Sequence, residues 1–262
     1  MGYTLYHING NNNIVLGGGG NDYFIVNGEN NTIDGGTDDN NYVNNGTGTD
    51  ISNSTIDPNS GAITFSILNE RRTIELNGKK YTITNNSSVS NTLRYSLNQN
   101  TGVITFEGST FTIDAKSNEA ATLNIKGSSN IINGSDLADR IVIESGSDNT
   151  VNANKGNDTI IMETENNAIN GGDGQDIITL NASTNKLVDG GSGSDSFTVT
   201  SDNNTNIKGG SGDDVFNVSG NFNKINDTNG NNQITLTGGD NTVIATGNGA
   251  NKIVIDSSNN NV

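Results

Sequence analysis

Five aspartates recur at nearly constant spacing: Asp139, Asp158, Asp176, Asp195 and Asp214, separated by 19, 18, 19 and 19 residues. Each closes a hexapeptide, GSDLAD at 134–139, ANKGND at 153–158, GGDGQD at 171–176, GGSGSD at 190–195 and GGSGDD at 209–214, and an earlier GGGGND at 17–22 ends in Asp22. If each repeat is one coil of a solenoid, the carboxylates line up along one edge about 5 Å apart, and two such charges repel by about 3 kcal/mol at an effective dielectric of 20. Four penalties of that size rival the whole stability of a domain. A divalent cation between each neighbouring pair, 139/158, 158/176, 176/195 and 195/214, reverses the sign. The glycines allow the backbone to turn with positive φ and to aim bare carbonyl oxygens at the same point, which gives a hard, all-oxygen shell suited to Ca²⁺ rather than Mg²⁺. The competing reading is a metal-free solenoid in which Asp only caps a turn.

The elements that must position these carboxylates are legible as a repeat of 18 or 19 residues. Asn recurs at 130, 149, 167, 185, 204, 223, 241 and 259, and each opens a similar unit. After each Asp or its equivalent, apolar residues alternate: Ile141, Ile160, Ile178, Phe197, Phe216, Ile234 and Ile253 form one column, and Ile143, Met162, Leu180, Val199, Val218, Leu236 and Ile255 form a second two residues on. A third column, Ile132, Val151, Ile169, Val188, Ile207 and Ile225, with Val243 or Ile244 next, precedes the Gly-rich turn. Period two means a strand with one face buried. Three inward side chains per coil cannot stabilise a lone hairpin, but coils stacked about 4.8 Å apart bury all of them against like neighbours. The expected fold is all-β, a right-handed parallel β-roll or β-solenoid, and in-register Asn side chains at its other turn form a hydrogen-bonded ladder.

The repeat is interrupted. Residues 1–50 carry a first block of β-roll repeats, with Phe24 and Val26 after the first Gly-rich turn and GGTDDN at 35–40; residues 128–262 carry the main block. Between them, 51–127 alternates as hairpins (AITFSI at 62–67, RRTIEL at 71–76, KKYTI at 79–83, with Asn77–Gly78 as a tight turn), which predicts an inserted antiparallel β-meander. IDPNSGAITF at 56–65 and LNQNTGVITF at 97–106 suggest an internal duplication. This insertion holds seven of the 13 basic residues, among them Arg71, Arg72, Lys79, Lys80 and Arg94. They are either solvated hairpin faces or a docking patch for an acidic roll.

Composition excludes several classes. Only 30% of the 262 residues are hydrophobic, 34 are Gly, and the formal charge is −16, which disfavours nucleic acid and anionic membranes and attracts cations. There is no Cys, hence neither a disulfide framework nor a Cys-ligated zinc site. No apolar run reaches the roughly 20 residues of a membrane helix. The one His, His7, lies in a terminal segment, no pair of carboxylates stands outside the repeat register, and the Gly-rich stretches lack the GK[ST] phosphate signature, so no catalytic function is expected.

The hexapeptides at 171–176, 190–195 and 209–214, in register with the strand columns, resemble the repeats-in-toxin nonapeptide G-G-x-G-x-D-x-U-x. The resemblance implies a parallel β-roll that binds calcium between successive turns. Carried over, it implies as ligands the carboxylate of Asp176 with carbonyl oxygens of Gly171, Asp173 and Gly174; Asp195 with Gly190, Ser192 and Gly193; and Asp214 with Gly209, Ser211 and Gly212. It also implies Gram-negative type I export in an unfolded state and folding in external calcium. The turns ending in Asn40, Asn232 and Asn251 depart from the pattern: at Asn232 and Asn251 an amide ladder is expected to replace the metal, and at Asn40 the departure leaves Asp22 without its Asp neighbour, for which Asp50 of NGTGTD at 45–50 is the candidate.

The expected function is thus that of a secreted, calcium-binding structural or adhesive module at a cell surface, in an adhesin or surface-layer-like assembly, through self-association or a polysaccharide ligand. The alternative is the repeat domain of a secreted toxin or hydrolase whose catalytic part lies elsewhere. Ice or polysaccharide binding by a flat face is weaker, because the outward file Thr179, Thr198, Asn217, Thr235, Val254 is only partly regular.

Overall fold

Alternating polar and apolar residues, punctuated by turns every nine or so positions, leave this chain few choices besides short strands. The computed structural model describes residues 4–19, 22–28, 31–34, 41–44, 50–52, 55–56, 63–67, 71–76, 79–89, 91–98, 100–115, 120–204, 206–227, 229–245 and 249–262. All elements among them are strands. The chain divides into two compact units, Met1–Phe111 and Thr112–Val262.

In the second unit, successive coils each contribute one strand to either of two parallel sheets. One sheet stacks Thr122–Lys126, Arg140–Ser145, Thr159–Met162, Ile177–Leu180, Ser196–Val199, Val215–Val218, Gln233–Leu236 and Lys252–Ile255 in that order. The other stacks Phe111–Ala115, Ile131–Asn133, Thr150–Asn152, Ala168–Asp173, Leu187–Ser192, Ile207–Ser211, Lys224–Asp227 and Thr242–Ala245. This is the β-solenoid that the repeat predicts. Its parallel stacking begins upstream of residue 128, at Thr112↔Ile131 and Thr122↔Arg140, where the sequence has no Gly-Asp signature.

The three apolar columns are in register across the coils, for example Ile160↔Ile178, Ile178↔Phe197, Phe197↔Phe216 and Val151↔Ile169. Nearly every member is fully buried. Phe197 and Phe216 stack with centroids 4.6 Å apart. The choice left open between Val243 and Ile244 falls to Val243, which pairs with Ile225 and is buried, whereas Ile244 points outward. In the last coil Ile255 is 46% exposed.

In the first unit, Leu5–Ile8, Tyr23–Val26 and Asn41–Asn44 form one parallel stack, and Ile14–Leu16, Thr32–Asp34 and Asp50–Ser52 form another. Ile8, Phe24, Val26 and Ile33 make a small core, with Tyr6 stacked on Phe24 at 4.6 Å. The expected antiparallel meander follows: Arg71–Leu76 pairs with Lys79–Asn85, and Asn91–Leu97 lies between Ile63–Ile67 and Ile104–Glu107. Tyr81, Ile83, Leu93, Tyr95, Ile104 and Phe106 are its buried face. The Asn77–Gly78 turn, GGTDDN at 35–40 and residues 57–62 of the suggested duplication lie outside the described residues.

Candidate metal centre

Two turns per coil close the roll, and each is built around a column of side chains. At one turn the expected Asn ladder is present, and its rungs run from main chain to side chain: the N–H of Asn149 donates to Asn167 Oδ1 at 2.9 Å, Asn167 to Asn185 at 3.1 Å, Asn185 to Asn204 at 3.1 Å and Asn204 to Asn223 at 2.9 Å. The Nδ2 groups of Asn167, Asn185, Asn204 and Asn241 turn back to the carbonyl three residues earlier, as from Asn185 to Ala182 at 2.8 Å, whereas those of Asn149 and Asn223 donate to the Gly127 and Ser201 carbonyls of the preceding coil. The final rung corrects the sequence reading. Asn241 donates to Asn260, not to Asn259, at 2.8 Å. The reason is backbone geometry: the residue before each ladder Asn is left-handed (Asp148, Asn166, Thr184, Asn203, Phe222, Asp240), and Asn259, with φ 63°, fills that role in the last coil.

The other turn repeats the device with aspartates. The N–H of Asp139 donates to Asp158 Oδ1 at 2.7 Å, Asp158 to Asp176 at 2.8 Å, Asp176 to Asp195 at 2.8 Å and Asp195 to Asp214 at 2.7 Å. The file continues through amides, Asp214 to Asn232 at 2.8 Å and Asn232 to Asn251 at 2.9 Å. All five aspartates are buried. In the first unit, buried Asp22 accepts from the Thr4 N–H at 2.9 Å in the same way.

What distinguishes the Asp file from the Asn file is the second side-chain atom. Asn232 donates Nδ2 to the Asn229 carbonyl at 2.8 Å. Asp158, Asp176, Asp195 and Asp214 present an oxygen instead, and their Oδ2 atoms are buried without a hydrogen bond. Such an atom loses its hydration without compensation. Burial pushes the Asp158 and Asp195 carboxyls up to about 7 and Asp214 up to about 6, and it raises Asp176 as well. Neighbouring carboxylates add to the rise at 158, 195 and 214, while the main-chain N–H bond opposes it at all four.

Asp139 differs. Its Oδ2 accepts from the Ser135 N–H at 2.6 Å, and its Oδ1 accepts from Ser135 Oγ at 2.8 Å and the Ala121 N–H at 2.6 Å. That carboxylate is satisfied by its own turn, as a capping Asp would be.

The glycines of each hexapeptide divide the work. Gly172, Gly191 and Gly210 have φ near 108°, and Gly174, Gly193 and Gly212 have φ of 147°, 128° and 126°, so the second and fourth positions require left-handed backbone. The first position is about space. A methyl group on Gly171 would collide with Asp176 Oδ2 and the Gly190 carbonyl oxygen; on Gly190, with Asp195 Oδ2 and the Gly209 carbonyl; on Gly209, with Asp214 Oδ2. The orphaned oxygens of Asp176, Asp195 and Asp214 thus lie in niches that only glycine leaves open, and at two of the three a carbonyl oxygen of the next coil is the other wall. Ala153 takes this place in its own coil.

The third-position carbonyls bind along the stack: Asp173 accepts from the Gly156 N–H at 2.9 Å, Ser192 from Gly174 at 2.7 Å and Ser211 from Gly193 at 2.7 Å. Their side chains face solvent. Among the described residues no three His, Asp or Glu side chains converge on one point. A cation here is therefore a matter of carboxylate oxygens one coil apart plus carbonyl oxygens, a donor set that fits Ca²⁺ in kind.

One buried acid was not singled out from the sequence. Asp227, 1% exposed, stands one coil beyond Gly209 in the first hexapeptide position, and its charge contributes to the raised pKa of Asp214. The signal was available, an acid in an inward column of small residues. Of the basic patch, Arg94 is tied to Glu107 of the adjacent antiparallel strand at 3.0 Å and Lys79 is half-buried; the side chains of Arg71, Arg72 and Lys80 lie outside the described residues. No protein-family model, curated protein or solved structure matches the chain. Fold and site together define a β-solenoid with an internal file of carboxylates.

Proposed function

We propose that the chain is a calcium-binding structural module, of the repeats-in-toxin kind, that acts outside the cell as part of a surface adhesin or surface-layer-like assembly. The observation that carries this reading is the set of buried Oδ2 atoms of Asp158, Asp176, Asp195 and Asp214, which make no hydrogen bond. An oxygen anion held in that state needs a proton or a cation. At the pH of most extracellular fluids hard divalent cations, one between neighbouring carboxylates, would serve the file and remove the mutual repulsion. Asp176 with the Gly190 carbonyl and Asp195 with the Gly209 carbonyl are the residues that would hold them, with Asp158 and Asp214 extending the file. Each ion would supply charge neutralisation and a crosslink between coils, so binding and folding are linked.

Circular dichroism of the full chain tests this. In excess chelator at pH 7.5 the strand signal is expected to be weak or to melt early, and calcium is expected to restore it and raise the midpoint. A spectrum and midpoint that are the same with chelator and with calcium would overturn the reading.

A further inference from the structure

We propose that copies of this chain join head to tail, the coil at residues 252–262 of one copy taking the coil at residues 5–16 of another as its next turn. The proposal names a partner for the module and does not use the aspartate file. The two coils share one spacing. Ile253, Ile255, Asn260 and Val262 carry on the first strand column, the second, the Asn ladder and the third column of the coil before them. Tyr6, Ile8, Asn13 and Val15 hold the same places against the coil that follows, through Phe24, Val26, Asn31 and Ile33. In both sets the steps are two, five and two residues, as they are inside the roll at Ile234, Leu236, Asn241 and Val243. Even the left-handed residue before the ladder Asn is matched, Asn259 at φ 63° and Asn12 at φ 57°.

The polar groups on the two faces complement each other. Along the ladder each Asn N–H donates to the Asn Oδ1 of the next coil, as from Asn223 to Asn241 at 2.8 Å. The Asn260 N–H has no acceptor among the described residues, and the Asn13 Oδ1 has no donor, so the second supplies what the first lacks. Beside the ladder, the residue after the second column forms its own file, in which Asn181 Nδ2 donates back to Glu163 at 2.9 Å and Asn27 Nδ2 to Asn9 at 2.7 Å. Asp256 and Asn9 are the corresponding residues of the two faces, so Asn9 of one copy donates to the Asp256 carboxylate of another. Ile255 and Val262 on one face, and Leu5, Ile14 and Leu16 at the other, are exposed side chains that such stacking covers. In this register Lys252 meets Leu5 and Asp256 meets Asn9, so no like charges face each other. Strand edges pair through their main chains, and a contact between two different faces propagates from copy to copy.

Sedimentation velocity of the full chain in calcium tests this, with I255K to block one face and V15K to block the other. The parent is expected to form a concentration-dependent series of oligomers, strengthened by salt because each copy carries a formal charge of −16. Each variant alone is expected to sediment as a monomer, and an equimolar mixture of the two as a dimer and nothing larger, since one intact face of each kind remains. If V15K loses its strand signal in circular dichroism, N9D takes its place, setting an exposed carboxylate opposite Asp256. A folded parent that stays monomeric, a single variant that associates like the parent, or a mixture that stays monomeric would each overturn the proposal. None of these results touches calcium binding, which is read separately.

Discussion

The main-chain N–H of Asp158 donates to Asp176 Oδ1 at 2.8 Å, and this bond fixes the Asp176 carboxylate so that its other oxygen is buried without a donor. An Asn in the same rotamer would keep the bond and turn an N–H toward the turn, as Asn232 does. Replacing Asp176 and Asp195 by Asn is therefore expected to stabilise the fold in chelator by about 1–3 kcal/mol for each orphaned acceptor removed, read as a higher melting midpoint. The same double variant is expected to lose most of its response to calcium. Scanning calorimetry in both buffers checks this; a lower midpoint in chelator would contradict it.

The pH dependence has an unusual sign. In the fold Asp158 and Asp195 titrate near 7 and Asp214 near 6, against an ordinary value of 3.8. The folded state therefore binds more protons than the unfolded one between these values. Stability from this source is fully present below about pH 4 and is lost as pH rises through about 6 to 7. In chelator the midpoint is expected to fall from pH 5 to pH 8. With saturating calcium the trend flattens or reverses, since protons compete with the ion. A midpoint in chelator that rises over that interval would refute the assignment.

How far the sequence carried the fold follows from which residues repeat. The apolar columns were legible because every coil places the same residue class at the same step, and Phe197 over Phe216 is in register as expected. The Asn column slipped by one at its end because Asn259 and Asn260 are chemically alike and only the left-handed backbone at 259 separates them. The stack before residue 128 carries no turn motif and was not readable. Asp139 looked like its neighbours in sequence, but Ser135, unique to its turn, supplies the donors that satisfy it. Asp227 escaped notice because it breaks the motif, and a motif search discards what a register comparison retains.

Gly190→Ala separates space from backbone freedom, since a methyl group there meets Asp195 Oδ2 and the Gly209 carbonyl. The expected cost is about 1–3 kcal/mol in a urea melt, the usual range for overpacking. Calcium affinity is expected to fall with it, because the methyl group fills the niche beside Asp195. Unchanged affinity would place the ion elsewhere.

The Asn ladder provides the converse. Asn185→Asp keeps the acceptor for the Asn167 N–H but sets an oxygen against the Ala182 carbonyl that now receives Nδ2. A loss of about 1–3 kcal/mol at pH 7.5 is expected. It should not be recovered by calcium, because this turn lacks the first-position glycine niche. Recovery in calcium would show that any stacked carboxylate, and not the Gly-rich turn, suffices.

The most direct measurement is a crystal structure grown in calcium with anomalous data recorded to locate the ion. The account predicts anomalous peaks about 2.3–2.6 Å from Oδ2 of Asp176 and of Asp195, the usual calcium–oxygen distance. Well-ordered Asp176 and Asp195 side chains with no peak beside either, in a crystal saturated with calcium, would contradict it.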